Sequence, residues 1–373
     1  MTKNKWSYNN LNAVHLELSS KCNAACPGCP RHLRNSPNVD GNLVQKDTSI
    51  KDFKNWFQPA TLEKIQQWTI CGTHGDPITC EDLIEIINYI CTYSKGSIQI
   101  NTNGGLRGTK FFNDLGKIFA NNKVENTTRE VVFSIDGLED TNHIYRRQVK
   151  WNKVIENLKA YVDAGGQAAW DFLQFKHNRH QVSEAQSIAM NLGVDFRLKN
   201  PFGVDVTGMP VYDKEYNLEY VIHHHSDKPT QDPYVPADIG YSAPMPEIDQ
   251  NIEGFIVCNS FRSHLPPNHD IKMCEIYIDH MGSVQPCCFV GNKMYGPSYV
   301  GESTEVKNIQ KKMGNKNNLY HHSIQDILDN GILEVYSKSW ANKSINQCWM
   351  QCGKNENKSR CMDTLFVKDL ANT

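Results

Sequence analysis

Nowhere does this chain of 373 residues contain an apolar run approaching the roughly 20 that a membrane-spanning helix needs. The first ten residues, MTKNKWSYNN, lack the apolar core of a secretion signal, so the chain is expected to stay where it is made, in the cytoplasm. Charge of one sign is also scarce. The 39 Lys and Arg are balanced by 41 Asp and Glu, a formal net charge of −2, and no basic run stands out, so a surface dedicated to nucleic-acid backbone is not expected. Cysteine, by contrast, is plentiful. There are 13, an odd number without a secretion signal, which points to metal binding or catalysis rather than to a disulfide framework. The length suits one large domain of roughly 200 to 250 residues with a smaller second one.

The cysteines fall into groups. Cys22, Cys26 and Cys29 lie in CNAACPGCP, three thiols within one short loop. A structural zinc or an ordinary ferredoxin cluster takes four protein ligands, so three together imply a metal centre with one corner open. Thiolates are the soft ligands that iron–sulfur clusters need, and Pro27 and Gly28 suit a tight wrap. A zinc knuckle borrowing His15 or His32 is the other reading of the same residues. Cys71, Cys80 and Cys91 fall on strand or helix stretches and read as core. A late group holds Cys258, Cys274, Cys287, Cys288, Cys348, Cys352 and Cys361.

Over the first 200 residues, strand-like runs alternate with amphipathic helical ones at the length of a βαβ repeat. Strands are predicted at 13–19, 65–72, 97–103, 130–136, 168–175 and 193–199, with a helix after the cysteine loop near 47–58 and others at 80–94, 108–122, 151–165 and 181–193. Six such units imply a parallel sheet with helices outside, curled into a partial barrel or left open. In such folds chemistry collects at the carboxyl ends of the strands. The cysteine loop, GTHGDP (72–77), NTNGG (101–105), SIDG (134–137) and KHN (176–178) all fall there.

With these elements in place, the chain resembles a radical S-adenosylmethionine (SAM) enzyme, whose signature is C-x3-C-x2-C after the first strand of a partial (β/α)6 TIM barrel. The resemblance implies that Cys22, Cys26 and Cys29 hold three irons of a 4Fe-4S cluster and that SAM chelates the fourth. An electron from a flavodoxin- or ferredoxin-type donor would then cleave SAM to a 5′-deoxyadenosyl radical that abstracts a substrate hydrogen. THGDP occupies the place of the family's Gly-Gly-Glu-Pro element, which binds the SAM amino group. Gly75 and Pro77 match, Asp76 stands for the glutamate and His74 replaces the first glycine; a plain turn is the alternative. Ser134 and Arg146 match the positions that bind the SAM carboxylate, with Arg147 as the adjacent competitor. Asn101 and Asn103 are candidates for ribose or methionyl contacts, or for a capped turn. Lys176, His177, Asn178 and Arg197 are candidates for substrate or adenosine contacts.

The stretch 205–255, rich in Pro, Asp, His and Tyr, reads as an irregular surface excursion, and His223, His224 and His225 read as solvated or as an adventitious metal site. The expected division is a barrel at 1–203, a linker or cover at 204–257 and a C-terminal unit at 258–373. In CEIYIDHMGSVQPCC a hairpin turning at Gly282 is predicted to bring Cys274 and Cys287 together, and NQCWMQCGKN adds Cys348 and Cys352. This resembles the twitch form of the SPASM extension, which implies an auxiliary 4Fe-4S cluster on these four thiols. Cys258 is a rival first ligand, Cys288 and Cys361 are spare, and a structural zinc is the alternative occupant. Phage-encoded members look similar. The expected substrate is a peptide or protein side chain or a small alcohol or carbohydrate. The dozen residues before the first strand favour a substrate without a leader. A non-catalytic zinc-stabilised binding protein is the competing expectation.

Overall fold

The computed structural model describes residues 5–33, 36–201, 204, 207–226, 255–256, 258–261, 273–295, 304–342 and 344–354. Cys361 and most of the expected linker lie outside them.

The first half alternates as the sequence predicts. Strand β1 (Ala13–Leu16) is followed by the cysteine loop, helices α1 (Ile50–Trp56) and α2 (Pro59–Lys64), β2 (Gln67–Ile70), α3 (Leu83–Tyr93), β3 (Ser97–Thr102), α4 (Thr109–Asn121) and β4 (Arg129–Ser134). Then come α5 (Asn142–Tyr145), α6 (Trp151–Asp163), β5 (Gln167–Leu173), α7 (Val182–Asn191) and β6 (Asp195–Lys199). Helix α1 starts where Ser49 accepts a hydrogen bond from the Asp52 N–H at 3.0 Å, a side-chain cap for an otherwise orphaned donor. The helix α2 is additional to the predicted elements; its Pro59 sits in the first turn, where the missing N–H costs nothing.

The strands β1 to β6 are all parallel and adjacent in chain order. Alternation gives the sheet two chemically different faces. Val14, Leu16, Trp68, Ile70, Ile98, Ile100, Val131, Phe133, Trp170 and Phe172 are buried in one core with the helix residues Ile86, Ile90, Phe112, Leu115 and Leu158. The opposite face carries His15, Thr69, Gln99 and Glu130 on one rung and Ser134, Asp171 and Arg197 on another. Most of these residues are half-buried.

Two further features were not legible in the sequence. Within the stretch read as irregular, β7 (Met209–Tyr212) and β8 (Leu218–Ile222) form an antiparallel hairpin with its own small core of Phe175, Val204, Met209, Val211 and Ile222. After β9 (Phe255–Ile256), the predicted C-terminal hairpin is present as β10 (Glu275–Ile278) and β11 (Val284–Gln285). Its first strand does not stand apart from the barrel. It pairs parallel with β1, Ala13 opposite Glu275 and Leu16 opposite Ile278, so that one eight-stranded sheet runs β11-β10-β1-β2-β3-β4-β5-β6. Short helices α8 (Cys288–Gly291), α9 (Thr304–Met313), α10 (Ile324–Asp329), α11 (Glu334–Lys338) and α12 (Asn346–Cys352) and strand β12 (Gly353–Lys354), paired with β9, complete the described chain.

Candidate functional site

The carboxyl ends of β1 to β5 gather the predicted motifs on one side of the sheet. The cysteine loop leaves β1 and returns when the Thr48 N–H meets the Leu18 carbonyl at 2.8 Å. Ser19 and Lys21 tie its two arms by reaching Asp47 at 2.7 and 2.9 Å. Gly28 takes φ +78° between Cys26 and Cys29, a left-handed conformation that a side chain would oppose. The neighbouring loop is locked onto this one. A Cβ on Gly75 would lie 2.0 Å from the Ser19 carbonyl oxygen, so only glycine allows that approach.

Polar groups from three strand ends face the thiols. Asn103, just past β3, directs its side-chain N–H groups to Cys22 Sγ at 3.6 Å, Asn23 Oδ1 at 3.0 Å and Asp76 Oδ2 at 2.7 Å. The Ala24 N–H also points to Cys22 Sγ at 3.3 Å. Arg146 reaches Cys26 Sγ at 3.8 Å through Nη1 and Asp136 Oδ2 at 2.6 Å through Nε. Its neighbour Arg147 turns the other way, to the Tyr212 carbonyl at 2.9 Å and Glu219 at 2.7 Å. The hairpin β7–β8 thereby anchors the segment that carries Arg146, and the Tyr220 hydroxyl adds a bond to the Ile144 carbonyl at 2.8 Å. Of the two arginines, Arg146 is the one at the cysteines.

Burial pushes the Cys22 thiol up to about 12, with Asp76 and Cys26 adding to it, and pushes Cys29 up to about 11 with Cys26. Cys26 is raised by burial too, against the pull of Arg146. Three thiols raised in this way give up their protons to a group that supplies compensating positive charge, as iron does. Among the described residues no three His, Cys, Asp or Glu side chains close around one point as a single metal ion requires, so the fit rests on the donor set and on what faces the sulfurs. N–H groups aimed at cysteine sulfur are the usual outer shell of an iron–sulfur cluster.

Other predicted residues are placed differently. The Asp76 carboxylate turns inward, accepting from Thr102 Oγ1 at 2.8 Å, the Asn103 N–H at 2.8 Å and the Ile78 N–H at 3.2 Å; it knits two loops together where the sequence suggested an ammonium contact. Pro77 is buried at the start of the short turn that follows. Asn101 accepts from Gln99 at 2.8 Å on the half-buried face, and Ser134 ends β4 opposite Asp171. Lys176 is exposed in the turn after β5, where its N–H bonds the His223 carbonyl at 3.0 Å. Asn178 is fully buried and caps that turn, its Nδ2 donating to the Asp136 and Leu173 carbonyls at 2.9 Å. Arg197 forks onto Glu130 at 3.1 and 2.9 Å, and Lys199 contacts Asp171. His225 is bound to Asn200 Oδ1 at 2.9 Å.

Glu17, one residue beyond β1, was passed over in the sequence, although a carboxylate inside VHLELSS was a visible anomaly. It is fully buried and accepts from the His74 N–H at 2.6 Å, the Gly75 N–H at 3.1 Å and the Tyr277 hydroxyl. Burial works to raise its carboxyl, but His74, His280 and the Tyr277 hydrogen bond outweigh it and hold the group down to about 2.

Four of the late cysteines gather at a second place. Cys258, Cys287, Cys348 and Cys352 line one cavity with Trp6, Tyr336 and Trp340. Cys274 is absent from that lining; its sulfur lies 4.0 Å from the Lys5 carbonyl. The pairing of β12 with β9, Gly353 opposite Ile256, brings Cys258 beside Cys352, and hydrogen bonding between these two thiols, with burial, raises Cys258 well above its usual range. Burial, with Cys258 nearby, pushes Cys348 up to about 12. Cys80 and Cys91 are core residues, and Cys71 is half-buried at the end of β2.

No family model matches the chain, and no curated protein matches it in sequence. Among solved structures, it is similar to SuiB of Streptococcus suis bound to S-adenosylmethionine, with a TM-score of 0.51 and 15% identity over 90% of this chain and 72% of that one. A second crystal structure of SuiB gives a TM-score of 0.50 and 15% identity over 91% and 73%. The fold is the partial (β/α)6 barrel of the radical SAM type. Among the described residues no helix is long and apolar enough to cross a membrane.

Proposed function

We propose that this chain is a cytoplasmic radical SAM enzyme that cleaves S-adenosylmethionine reductively and abstracts a hydrogen from a polar substrate. The observation that carries the reading is the single loop of three half-buried thiols at the strand ends, with Asn103, Arg146 and the Ala24 amide aimed at two of its sulfurs. Cys22, Cys26 and Cys29 would hold three corners of a 4Fe-4S cluster and leave the fourth for SAM. When bound, the pair supplies a 5′-deoxyadenosyl radical on receipt of one electron from a flavodoxin- or ferredoxin-type donor.

The chain's own residues orient and shield. Arg146, held by Asp136, offers its remaining N–H groups to the SAM carboxylate beside Ser134, and a planar fork suits that ligand. The 72–77 loop serves the amino group through its backbone. Asn101 remains a candidate for ribose, and exposed Lys176 for the outer part of the ligand. The half-buried polar face with His15, Thr69, Gln99 and Ser134 favours a peptide side chain or a small alcohol over an apolar substrate. Cys258, Cys287, Cys348 and Cys352 would hold an auxiliary 4Fe-4S cluster of the twitch type, with Cys258 in the place first given to Cys274.

Anaerobically reconstituted protein is expected to carry about eight irons per chain, the content of two four-iron clusters, and with dithionite to convert SAM to 5′-deoxyadenosine. A protein that binds two zinc ions and leaves SAM intact would instead be a metal-stabilised binding protein.

A further inference from the structure

Two successive N–H groups of the 72–77 loop, those of His74 and Gly75, converge on one oxygen of Glu17 at 2.6 and 3.1 Å. In a trans peptide the carbonyl points opposite to the N–H of the same unit. The carbonyls of Thr73 and His74 are therefore turned away from Glu17, and among the described residues neither accepts a hydrogen bond. Backbone that presents carbonyls and hides its N–H groups is complementary to an amino group, which donates, and hostile to a carboxylate, which accepts. Left to itself, a loop with two glycines, Gly72 and Gly75, has no reason to keep that polarity.

The other oxygen of Glu17 is held from the C-terminal part of the chain. The Tyr277 hydroxyl, on β10, donates to it, and His74 Nδ1 lies 3.5 Å from the same atom. Tyr277 is fully buried, and His15 and Gly291 pack against its ring. β10 stands beside β1 through the parallel pairing that joins the C-terminal hairpin to the barrel.

We propose that Glu17 is the positioning residue of the SAM amino-group subsite: it fixes the direction of the loop carbonyls, and through Tyr277 it makes that subsite depend on the docking of the C-terminal hairpin. This rests on the reading of the barrel as a SAM site. Glu17 does not touch the cofactor; its effect passes through the backbone of residues 73–75. The late part of the chain thus contributes to SAM binding without supplying a cofactor ligand.

The test compares Glu17→Leu, Glu17→Gln and Tyr277→Phe in the full-length, anaerobically reconstituted protein, by equilibrium dialysis of labelled SAM alongside iron content. Glu17→Leu removes the acceptor and is expected to weaken SAM binding roughly tenfold or more at unchanged iron content, the order of effect when buried donors lose their partner. Glu17→Gln keeps an oxygen for the two N–H groups and an amide for Tyr277, so it is expected to retain most of the affinity; Tyr277→Phe is expected to weaken binding about threefold, as loss of one supporting hydrogen bond does. Affinity unchanged in Glu17→Leu, or lost equally in the Leu and Gln variants, overturns the proposal. Should Glu17→Leu fail to fold, wild-type affinity in Tyr277→Phe overturns it equally. Wild-type protein that does not bind SAM at all would overturn the underlying reading of the site, a result distinct from any of these.

Discussion

The two cysteine centres are built on opposite plans. The first takes its three thiols from residues 22–29 of one loop, and its surroundings are polar: Asn103, Arg146 and backbone amides turned toward sulfur. The second draws Cys258, Cys287, Cys348 and Cys352 from three distant segments into a cavity walled by Trp6, Tyr336 and Trp340. A local motif needs only a short loop to be placed at a strand end, whereas an assembled one needs the whole topology, the pairing of β10 with β1 and of β12 with β9, to be in place first. On the proposed reading the first plan would leave a corner free for a ligand. The second would supply all four ligands, which suits electron storage, structural support or substrate contact better than SAM chemistry.

The sharpest way to break this contrast is to remove one thiol from each centre. Cys26→Ala is expected to abolish 5′-deoxyadenosine formation altogether. Cys348→Ala and Cys258→Ala are each expected to lower iron to about half while leaving SAM cleavage without substrate turnover, as fits loss of one four-iron cluster. Equal loss of cleavage in all three would erase the division of labour. Cys274→Ala sharpens the ligand set, because a sulfur outside the cavity should leave the iron content at the wild-type level.

A smaller effect is expected from Arg146→Lys. The point charge survives, but lysine cannot bridge Asp136 and Cys26 as the guanidinium does. The KM for SAM is expected to rise about tenfold, the scale of one lost charge-assisted contact, with kcat changed less; initial rates over a SAM series would show it. A unchanged KM would detach Arg146 from the cofactor.

The smallest prediction concerns a charge buried in the C-terminal part. Lys293 is buried there, and burial lowers its amine to about 8 from 10.5. Its folded value lies below the unfolded one, so the unfolded chain binds the extra proton between these two values and stability rises with pH across that window. Lys293→Met is expected to raise the thermal midpoint at neutral pH and to flatten this slope. Scans at pH 7 and 10 in both proteins would check it, and an identical slope would contradict it.

Much of the barrel was legible because its signals are local. Alternation in VHLEL and SIQINT, and apolar recurrence at Val154, Ile155, Leu158 and Tyr161, each mark an element without reference to the rest of the chain. The β7–β8 hairpin was not legible. Its strands are short, Pro210 interrupts the first, and the register shifts between Val211 and Tyr212. Cys274 was chosen over Cys258 because a hairpin turning at Gly282 would set it beside Cys287, while the structure brings Cys258 to Cys352 through a strand pair nearly 100 residues apart. Asp76 was read as standing for the glutamate of the motif it resembles; Thr102 and Asn103, from the next strand end, supply the donors that its carboxylate accepts from. Such long-range partners leave no periodic trace in the sequence.

The central claim is that the loop of Cys22, Cys26 and Cys29 carries a cluster with one iron open to SAM. Electron paramagnetic resonance of the Cys348→Ala protein, reconstituted and reduced without oxygen, tests it with the second centre removed from view. A cluster signal that changes shape when SAM is added is the predicted result. A signal indifferent to SAM, or no cluster signal at all, would contradict it.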